Sequence, residues 1–301
     1  MRVEGIYCPV ITPFTKDGKM YYDGVKVFTE FLIEHGIKGF FINGTYGLGP
    51  LMTIEERKKS AEAFIDNAKN SVVTIVHVGS PSLDITIELA KHAEDIGANA
   101  VASVPPFYYK YGESNIKLFF EKLISSVDIP VFAYNNPGRT GNPIAPELLK
   151  ELAKIGVVGI KDSSFSIVTF WEYINAVKPV NKDFIFIIGT EALMLPAIIS
   201  GASACISGLA NVFPEPNVEL YGLIRKGNYD EAIKKQLMIV KARRIMHTVE
   251  TYPACYALLK LRGIDVGYPK PPFKPLQEKH IEMLVAKFKE IGLPLEKAKN
   301  S

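Results

Sequence analysis

Cysteine is scarce in this 301-residue chain, and its three cysteines lie far apart. An odd number of widely spaced thiols forms neither a disulfide framework nor a zinc site, so we expect Cys8, Cys205 and Cys255 to be buried apolar residues in a reducing compartment. Long apolar runs are missing too. None reaches the roughly 18 residues of a membrane span, and residues 1–5 lack a signal-peptide pattern, which predicts a soluble cytoplasmic protein without a membrane partner.

Several motifs of cofactor and metal chemistry are also missing. The 35 Lys and Arg residues are interspersed with 32 Asp and Glu, and the resulting net charge of +3 does not indicate nucleic-acid binding. The five histidines show no ligand spacing, so we expect no metal site. A phosphate-binding Gly-Lys-Ser/Thr, a dinucleotide fingerprint and a Gly-x-Ser-x-Gly elbow are absent as well.

Eight short apolar runs alternate with amphipathic helical patterns through the first two thirds of the chain. Their spacing of roughly 20–35 residues suits a strand, a helix and two loops. Near-continuous apolar strands are typical of a parallel sheet that is covered on both faces. The runs span residues 5–12, 39–43, 72–78, 100–104, 130–134, 157–161, 184–189 and 204–207. Eight such units favour a closed (β/α)₈ barrel over an open, doubly wound sheet.

The strand-like runs end before Pro214, and helical patterns replace them. These patterns span residues 217–226, 229–248, 253–262 and 278–291. The sequence therefore predicts an α/β protein with a (β/α)₈ TIM barrel over residues 1–213 and a C-terminal helical extension, residues 214–301, packed on it. In such barrels the functional residues lie at the C-terminal ends of the strands and in the loops that follow.

Lys161 stands where the sixth run leaves the core. An ammonium among apolar walls loses hydration, its pKa falls, and it becomes a nucleophilic amine. The alternative is a lysine whose stem crosses the core rim while its charge stays in water. Tyr134 ends the fifth run, so the two side chains face each other across about 4.8 Å if both point inward. A phenol there can pass protons to an imine-forming centre, whereas a core-edge tyrosine would only expose its hydroxyl.

Two other loops carry candidate residues. The second run leads into Gly44-Thr45-Tyr46-Gly47, a glycine-rich turn whose free N–H groups can bind an anion, or which merely connects two elements. After the fourth run come Phe107, Tyr108 and Tyr109, and such an aromatic cluster most often packs a loop or a subunit interface. Arg139 follows the fifth run and suits either a carboxylate or plain solvent.

Three motifs in order carry a resemblance to a known family. Gly44-Thr45-Tyr46-Gly47, Tyr134-Asn135-x-Pro137 and Gly159-Ile160-Lys161-Asp162 resemble those of dihydrodipicolinate synthase, N-acetylneuraminate lyase and 2-keto-3-deoxygluconate aldolase. The match extends over nearly the whole chain. The resemblance implies an enzyme that uses pyruvate and an aldehyde or a 2-keto-3-deoxy acid, needs no cofactor or metal, and forms a homo-oligomer, either a dimer or a tetramer.

The same resemblance implies roles for individual residues. Lys161 forms a Schiff base with the keto carbon of pyruvate, and Tyr134 shuttles protons to and from that centre. Thr45 links Tyr134 to Tyr108, which in the family crosses from a neighbouring subunit. The N–H groups of Thr45 and Tyr46 hold the pyruvate carboxylate. Two further positions belong to the substrate-binding set, namely Ile206 and Gly189.

The second substrate divides the family. Arg139 matches the arginine that in dihydrodipicolinate synthases receives the carboxylate of aspartate semialdehyde. Gly47-Leu48-Gly49-Pro50 and residues 267–272 look more like archaeal-type 2-keto-3-deoxygluconate aldolases. The resemblance thus favours reversible cleavage of a 2-keto-3-deoxy sugar acid to pyruvate and an aldehyde, with 4-hydroxy-tetrahydrodipicolinate synthesis as the alternative. An N-acetylneuraminate lyase, a barrel enzyme for phosphorylated sugars without a Schiff base, and a catalytically inactive binding homologue are more distant alternatives.

Two positions depart from the family pattern: Phe107, where many relatives carry another tyrosine, and Tyr46, which matters more. The family usually has Thr or Ser where this chain has Tyr46. The backbone contacts to a carboxylate survive such a change, but a hydroxyl donor on a short side chain is lost. A large phenol must be housed instead, so the size of the pocket at this end depends on where Tyr46 lies.

Overall fold

A closed barrel of eight parallel strands forms the centre of the computed structural model, which describes residues 2–68, 71–293 and 295. Each strand pairs with its neighbours in sequence, and the last strand pairs with the first to close the sheet. The strands are β1 Gly5–Cys8, β2 Gly39–Ile42, β3 Val73–His77, β4 Ala100–Ser103, β5 Val131–Asn135, β6 Gly159–Asp162, β7 Ile185–Ile188 and β8 Ala204–Ile206. The predicted (β/α)₈ barrel is confirmed.

Helices connect the strands and continue beyond the barrel. They are α1 Tyr22–Glu34, α2 Ile54–Ala68, α3 Leu83–Asp95, α4 Glu113–Ile124, α5 Pro137–Thr140, α6 Pro146–Lys154, α7 Ile167–Val177, α8 Met194–Ile199, α9 Pro214–Arg225, α10 Tyr229–Met246, α11 Thr251–Leu261 and α12 Glu278–Glu290. Side-chain caps fix some of their starts. Before α2, Thr53 N donates to Glu56 Oε2 at 2.9 Å while Glu56 N donates to Thr53 Oγ1 at 3.2 Å, so this end is a capping box.

Two apolar layers follow from the alternation of side chains along each strand. One set points into the barrel and fills it with large side chains, among them Tyr7, Phe41, Phe132 and Ile187. The other set points outward and packs against the helices in a much larger cluster. On β6 this alternation sends Lys161 to the inside. The barrel is therefore a filled core whose polar residues are concentrated near its carboxyl end.

The structure differs from the expected elements at several places, including the following three. The first run stops at Cys8 rather than at residue 12, because Pro9 has no N–H to continue the ladder, and Ile11 N instead donates to Asn211 Oδ1 at 2.9 Å. The loop after β5 contains the short helix α5. Helix α9 begins at Pro214 rather than at residue 217, since proline is well suited to the first helical position.

The helices that follow the barrel, α9 to α12, pack on it and on one another. A boundary between residues 213 and 214 stays a prediction, and residues 294 and 296–301 of the expected extension lie outside the described residues. The three cysteines are buried and unpaired. Over the ranges described, none of the helices combines the length and the hydropathy that crossing a bilayer requires.

Candidate active site

Lys161 lies inside the carboxyl end of the barrel, with only 3 % of its surface exposed. Its Nζ stands 3.7 Å from the centroid of the Phe41 ring and 4.0 Å from that of the Tyr134 ring. Burial lowers the pKa of Lys161, and the opposing effects of Tyr134 and Cys205 do not restore it. The sequence left open a lysine with its charge in water, whereas the structure buries the amine.

Tyr134 is the register partner of Lys161 on the adjacent strand. Its phenol oxygen accepts a hydrogen bond from Asn136 Nδ2 at 2.9 Å and lies 3.4 Å from Thr45 Oγ1. Burial raises the pKa of this phenol, but the Lys161 charge and hydrogen bonds from Thr45, Ser163 and Lys161 outweigh burial, so the pKa of Tyr134 lies below its usual value. The phenol can therefore release and recover a proton directly beside the amine.

The turn after β2 presents backbone donors to the same cavity. Asn43 begins it in the left-handed region, with φ of 58°. The chain then folds back so closely that a Cβ on Gly49 would lie 2.0 Å from the Asn43 carbonyl oxygen. Across the part of the chain that is described, the N–H groups of Thr45, Tyr46 and Gly47 donate to no protein acceptor. Consecutive free N–H groups of this kind suit a carboxylate.

A buried network underlies this turn. Arg57 donates from Nη2 to the His77 carbonyl at 2.7 Å and from Nη1 to the Gly79 carbonyl at 3.1 Å. Asn43 donates from Nδ2 to the Arg57 carbonyl at 2.8 Å, and its own carbonyl accepts from His77 Nδ1 at 3.2 Å. Burial and the charges of Arg57 and Lys161 hold the pKa of His77 well below its usual value. A neutral imidazole thus joins the ends of β2 and β3.

Helices supply the opposite wall of the cavity, whose volume is about 370 Å³. Arg139 donates from Nη2 to the Tyr252 phenol oxygen at 3.2 Å, and Arg243 Nε lies 3.4 Å from Glu191 Oε1. Burial and the charges of Arg243 and Arg139 lower the pKa of His247. The cavity therefore joins a floor that holds the buried amine and phenol to a wall of basic and hydrogen-bonding groups.

Seven of the eight site residues expected from the sequence line this one cavity: Lys161, Tyr134, Thr45, Tyr46, Arg139, Ile206 and Gly189. The eighth, Tyr108, is 86 % exposed and adopts φ of 83° on the outside of the barrel. Within a single chain it is therefore not part of the cavity. In the portion of the chain that is described, no three His, Cys, Asp or Glu side chains are grouped so that they could hold a metal ion.

Sequence reasoning missed other residues that line the cavity. Ser163 comes two residues after Lys161, and the strand period of two was a usable signal for placing both on one side. Asn136 stands inside the motif around Tyr134 and was passed over. No local pattern pointed to several others, because they reach the cavity only through tertiary packing, among them Glu191, Arg243, His247, Thr251 and Tyr252.

Fold and site together define a (β/α)₈ barrel protein with a buried amine and a phenol at the carboxyl ends of adjacent strands. The profile of the Dihydrodipicolinate synthetase family matches residues 2–291. The chain belongs to that family and is an enzyme of the lyase and aldolase type.

Individual relatives agree on the family and differ in their named activity. A 2-dehydro-3-deoxy-phosphogluconate/2-dehydro-3-deoxy-6-phosphogalactonate aldolase from Saccharolobus solfataricus is 32% identical over 98% of this chain and 94% of its own. A 4-hydroxy-tetrahydrodipicolinate synthase from Methanopyrus kandleri is 32% identical over 97% of each chain. A prophage protein of the dihydrodipicolinic acid synthase family from E. coli K12, solved with pyruvate, superimposes with a TM-score of 0.92 at 29% identity, covering 96% of this chain and 99% of that one.

Replacing Lys161 by methionine should stabilise the protein at neutral pH. The lowered pKa means that the folded chain binds fewer protons at this site than the unfolded chain, up to about pH 10.5. The buried charge therefore lowers the free energy of unfolding by its full amount when the pH is below the lowered pKa. This destabilisation disappears as the pH rises to about 10.5. We expect Lys161→Met to raise the melting temperature at pH 7 by at least about 2 °C, with a gain that shrinks toward pH 10.5.

The matched control is Lys182→Met, since Lys182 is exposed. This variant should have the same melting temperature as the wild type at every pH. A gain for Lys161→Met that stays constant or grows with pH would show that the amine is not destabilised by burial.

Proposed function

We propose that the chain is a class I pyruvate aldolase that reversibly cleaves a 2-keto-3-deoxy sugar acid, such as 2-keto-3-deoxygluconate, to pyruvate and an aldehyde. The observation that carries this proposal is the Lys161 amine, which lies between two aromatic rings with a lowered pKa. A lowered pKa increases the fraction of neutral amine, which is the form that attacks a keto carbon, above that of an ordinary lysine.

The surrounding groups support each step of this chemistry. Lys161 Nζ adds to the keto carbon, water leaves, and a protonated imine results. Tyr134 takes the proton of the C4 hydroxyl, the C3–C4 bond breaks, and its electron pair moves toward the iminium nitrogen as the aldehyde departs. The enamine then regains a proton at C3, and water hydrolyses the imine to release pyruvate. Free N–H groups at Thr45 and Tyr46 hold the carboxylate throughout.

The wall of the cavity supports a hydroxylated aldehyde portion. Ser163, Glu191 and Thr251 line it, and so do Asn136 and Tyr252, which gives a mixed set of donors and acceptors. A chain of hydroxyl groups needs such a set, because each hydroxyl both donates and accepts. Ile206 and Gly189 line the cavity without adding charge.

Dihydrodipicolinate-type synthesis is the second candidate. It would condense the same pyruvate enamine with aspartate semialdehyde, whose carboxylate needs a cation. Arg139 favours this reading, since its guanidinium lies on the cavity wall and is steadied by the Tyr252 phenol.

Pyruvate followed by borohydride should attach one reduced pyruvate to the wild type and none to Lys161→Ala. Reduction converts the imine into a stable secondary amine, which mass spectrometry of the intact protein and of the peptide around residue 161 detects. Tyr134→Phe is the variant to compare. It keeps the ring beside Lys161 but removes the hydroxyl, so the rate of aldol cleavage should fall about 10²- to 10⁴-fold. A wild-type protein that is not labelled would refute the Schiff base and favour an inactive homologue or another barrel chemistry.

Arg139→Ala should separate the two substrate classes. If Arg139 receives a carboxylate, its loss should lower kcat/KM for aspartate semialdehyde about 10- to 100-fold and leave glyceraldehyde nearly unchanged. Arg139→Lys keeps the charge but loses the bidentate contact. Its kcat/KM for aspartate semialdehyde should therefore lie between the values for the wild type and Arg139→Ala. Equal losses on both aldehydes would reject Arg139 as the residue that selects the substrate.

We propose further that the enzyme is a homo-oligomer, dimer or tetramer, with Tyr108 at a subunit boundary. The rings of Tyr108 and Tyr109 lie 5.1 Å apart and are 86 % and 64 % exposed. A left-handed backbone at a bulky residue is costly, which supports a role for the projecting side chain. Sedimentation should give an even multiple of 33.3 kDa, and Tyr108→Phe should lower turnover while pyruvate labelling persists. A monomer with full activity would contradict this proposal.

A further inference from the structure

Tyr46 crosses the cavity from the turn after β2 to the loop after β8. A Cβ built on Gly208 would lie 2.3 Å from both Cζ and Oη of Tyr46. Atoms at that separation overlap, so the phenol occupies the space that any side chain at position 208 would need. Tyr46 and Gly208 are therefore packed as a matched pair, and the large residue requires the small one.

Neighbouring groups hold both members of the pair in place. The Tyr46 ring meets the Tyr252 ring edge-on, with centroids 5.3 Å apart and an interplanar angle of 86°. Gly208 N donates to Glu191 Oε2 at 3.1 Å, and Ser207 Oγ donates to the same oxygen at 3.1 Å. The loop that receives the phenol is thus fixed by a carboxylate that is itself almost fully buried.

The phenol is also available to a bound molecule. Burial, together with the negative charge of Glu191, raises the pKa of Tyr46 well above its usual value, so the hydroxyl keeps its proton. No hydrogen bond from Oη to a protein acceptor occurs in the ranges that the structure covers. Tyr46 lines the cavity together with Lys161 and Glu191. One face of the cavity is therefore a rigid ring that ends in an unused donor.

Volume and hydrogen bonding then act on the same part of the substrate. Tyr46 lines the cavity next to Thr45, whose Oγ1 lies 3.4 Å from the Tyr134 oxygen, and its ring extends to the loop after β8. A ring at this place takes up cavity volume that a short side chain would leave free. A long or branched aldehyde meets the ring, whereas a short one fits beside it and can hydrogen-bond to Oη.

We infer that Tyr46, accommodated by Gly208, is a specificity-determining residue that restricts the second substrate to short hydroxylated aldehydes of about the size of glyceraldehyde. This inference rests on the proposed function and deepens it. It assigns to Tyr46 two separate effects, one through the bulk of the ring and one through its hydroxyl.

Variants at position 46 separate the two effects. With pyruvate and the series glyceraldehyde, erythrose, ribose and mannose, Tyr46→Ser should raise the ratio of kcat/KM for mannose to that for glyceraldehyde about 10-fold or more, since the ring no longer obstructs the longer chain. Tyr46→Phe keeps the bulk, so this ratio should stay at the wild-type value, while the preference for glyceraldehyde over propanal falls. Tyr229→Ser, which removes a half-exposed tyrosine on α10, should change neither ratio.

A double-mutant cycle tests the packing itself. Gly208→Ala should lower the melting temperature and the activity when Tyr46 is present. In the Tyr46→Ser background the added methyl group has room, so both losses should largely vanish. Equal losses in the two backgrounds would overturn the matched pair, and unchanged aldehyde ratios in Tyr46→Ser would overturn the role in specificity.

Pyruvate and borohydride labelling of each variant keeps the two proposals distinguishable. A wild type that cannot be labelled refutes the proposed function and the specificity inference with it. A wild type that is labelled, with a chain-length profile that Tyr46→Ser leaves unchanged, refutes the specificity inference alone.

Discussion

The rest of the site depends on one buried amine, Lys161, which forms no ion pair with a carboxylate among the described residues. A buried ammonium normally gains an ion pair or is neutralised. Lys161 has two ring faces instead, 3.7 Å and 4.0 Å from its Nζ. Ring faces attract a cation more weakly than a carboxylate does. They therefore stabilise the charged form of Lys161 less, and the amine loses its proton more easily. The barrel enforces this arrangement, because Phe41 and Tyr134 are fixed by the strands on which they lie.

That arrangement also explains why the phenol and the amine act together. Lys161 lowers the pKa of Tyr134, while Tyr134 opposes the effect of burial on Lys161, so the two groups compete for one proton. Asn136 and Thr45 both touch the phenol oxygen and fix its position. A neutral His77 nearby adds no charge that would bias the competition. The proton can therefore move between two groups on adjacent strands without any movement of the backbone.

The sequence was sufficient for those features that local pattern determines. Eight apolar runs predicted eight strands, and the ends of two of them located Lys161 and Tyr134 on neighbouring strands, as the register confirms. The sequence did not predict short elements such as the helix α5, because proline and glycine indicate a turn without determining its conformation. The packing of Tyr46 against Gly208 could not be read either, since 162 positions of chain separate two residues that meet only when the barrel closes.

The barrel and the C-terminal helices contribute different groups to the cavity. Strand ends and the loops after them carry the amine, the phenol and the free N–H groups. In the proposed function these groups act on the part of the substrate that becomes pyruvate. Arg243, His247 and Tyr252 come instead from α10, the residue after it and α11, beyond the eighth strand. In the proposed function they face the part that differs between a sugar acid and aspartate semialdehyde. On that proposal, changes in these helices alter the choice of aldehyde without moving Lys161, which agrees with a family whose members are named for different substrates.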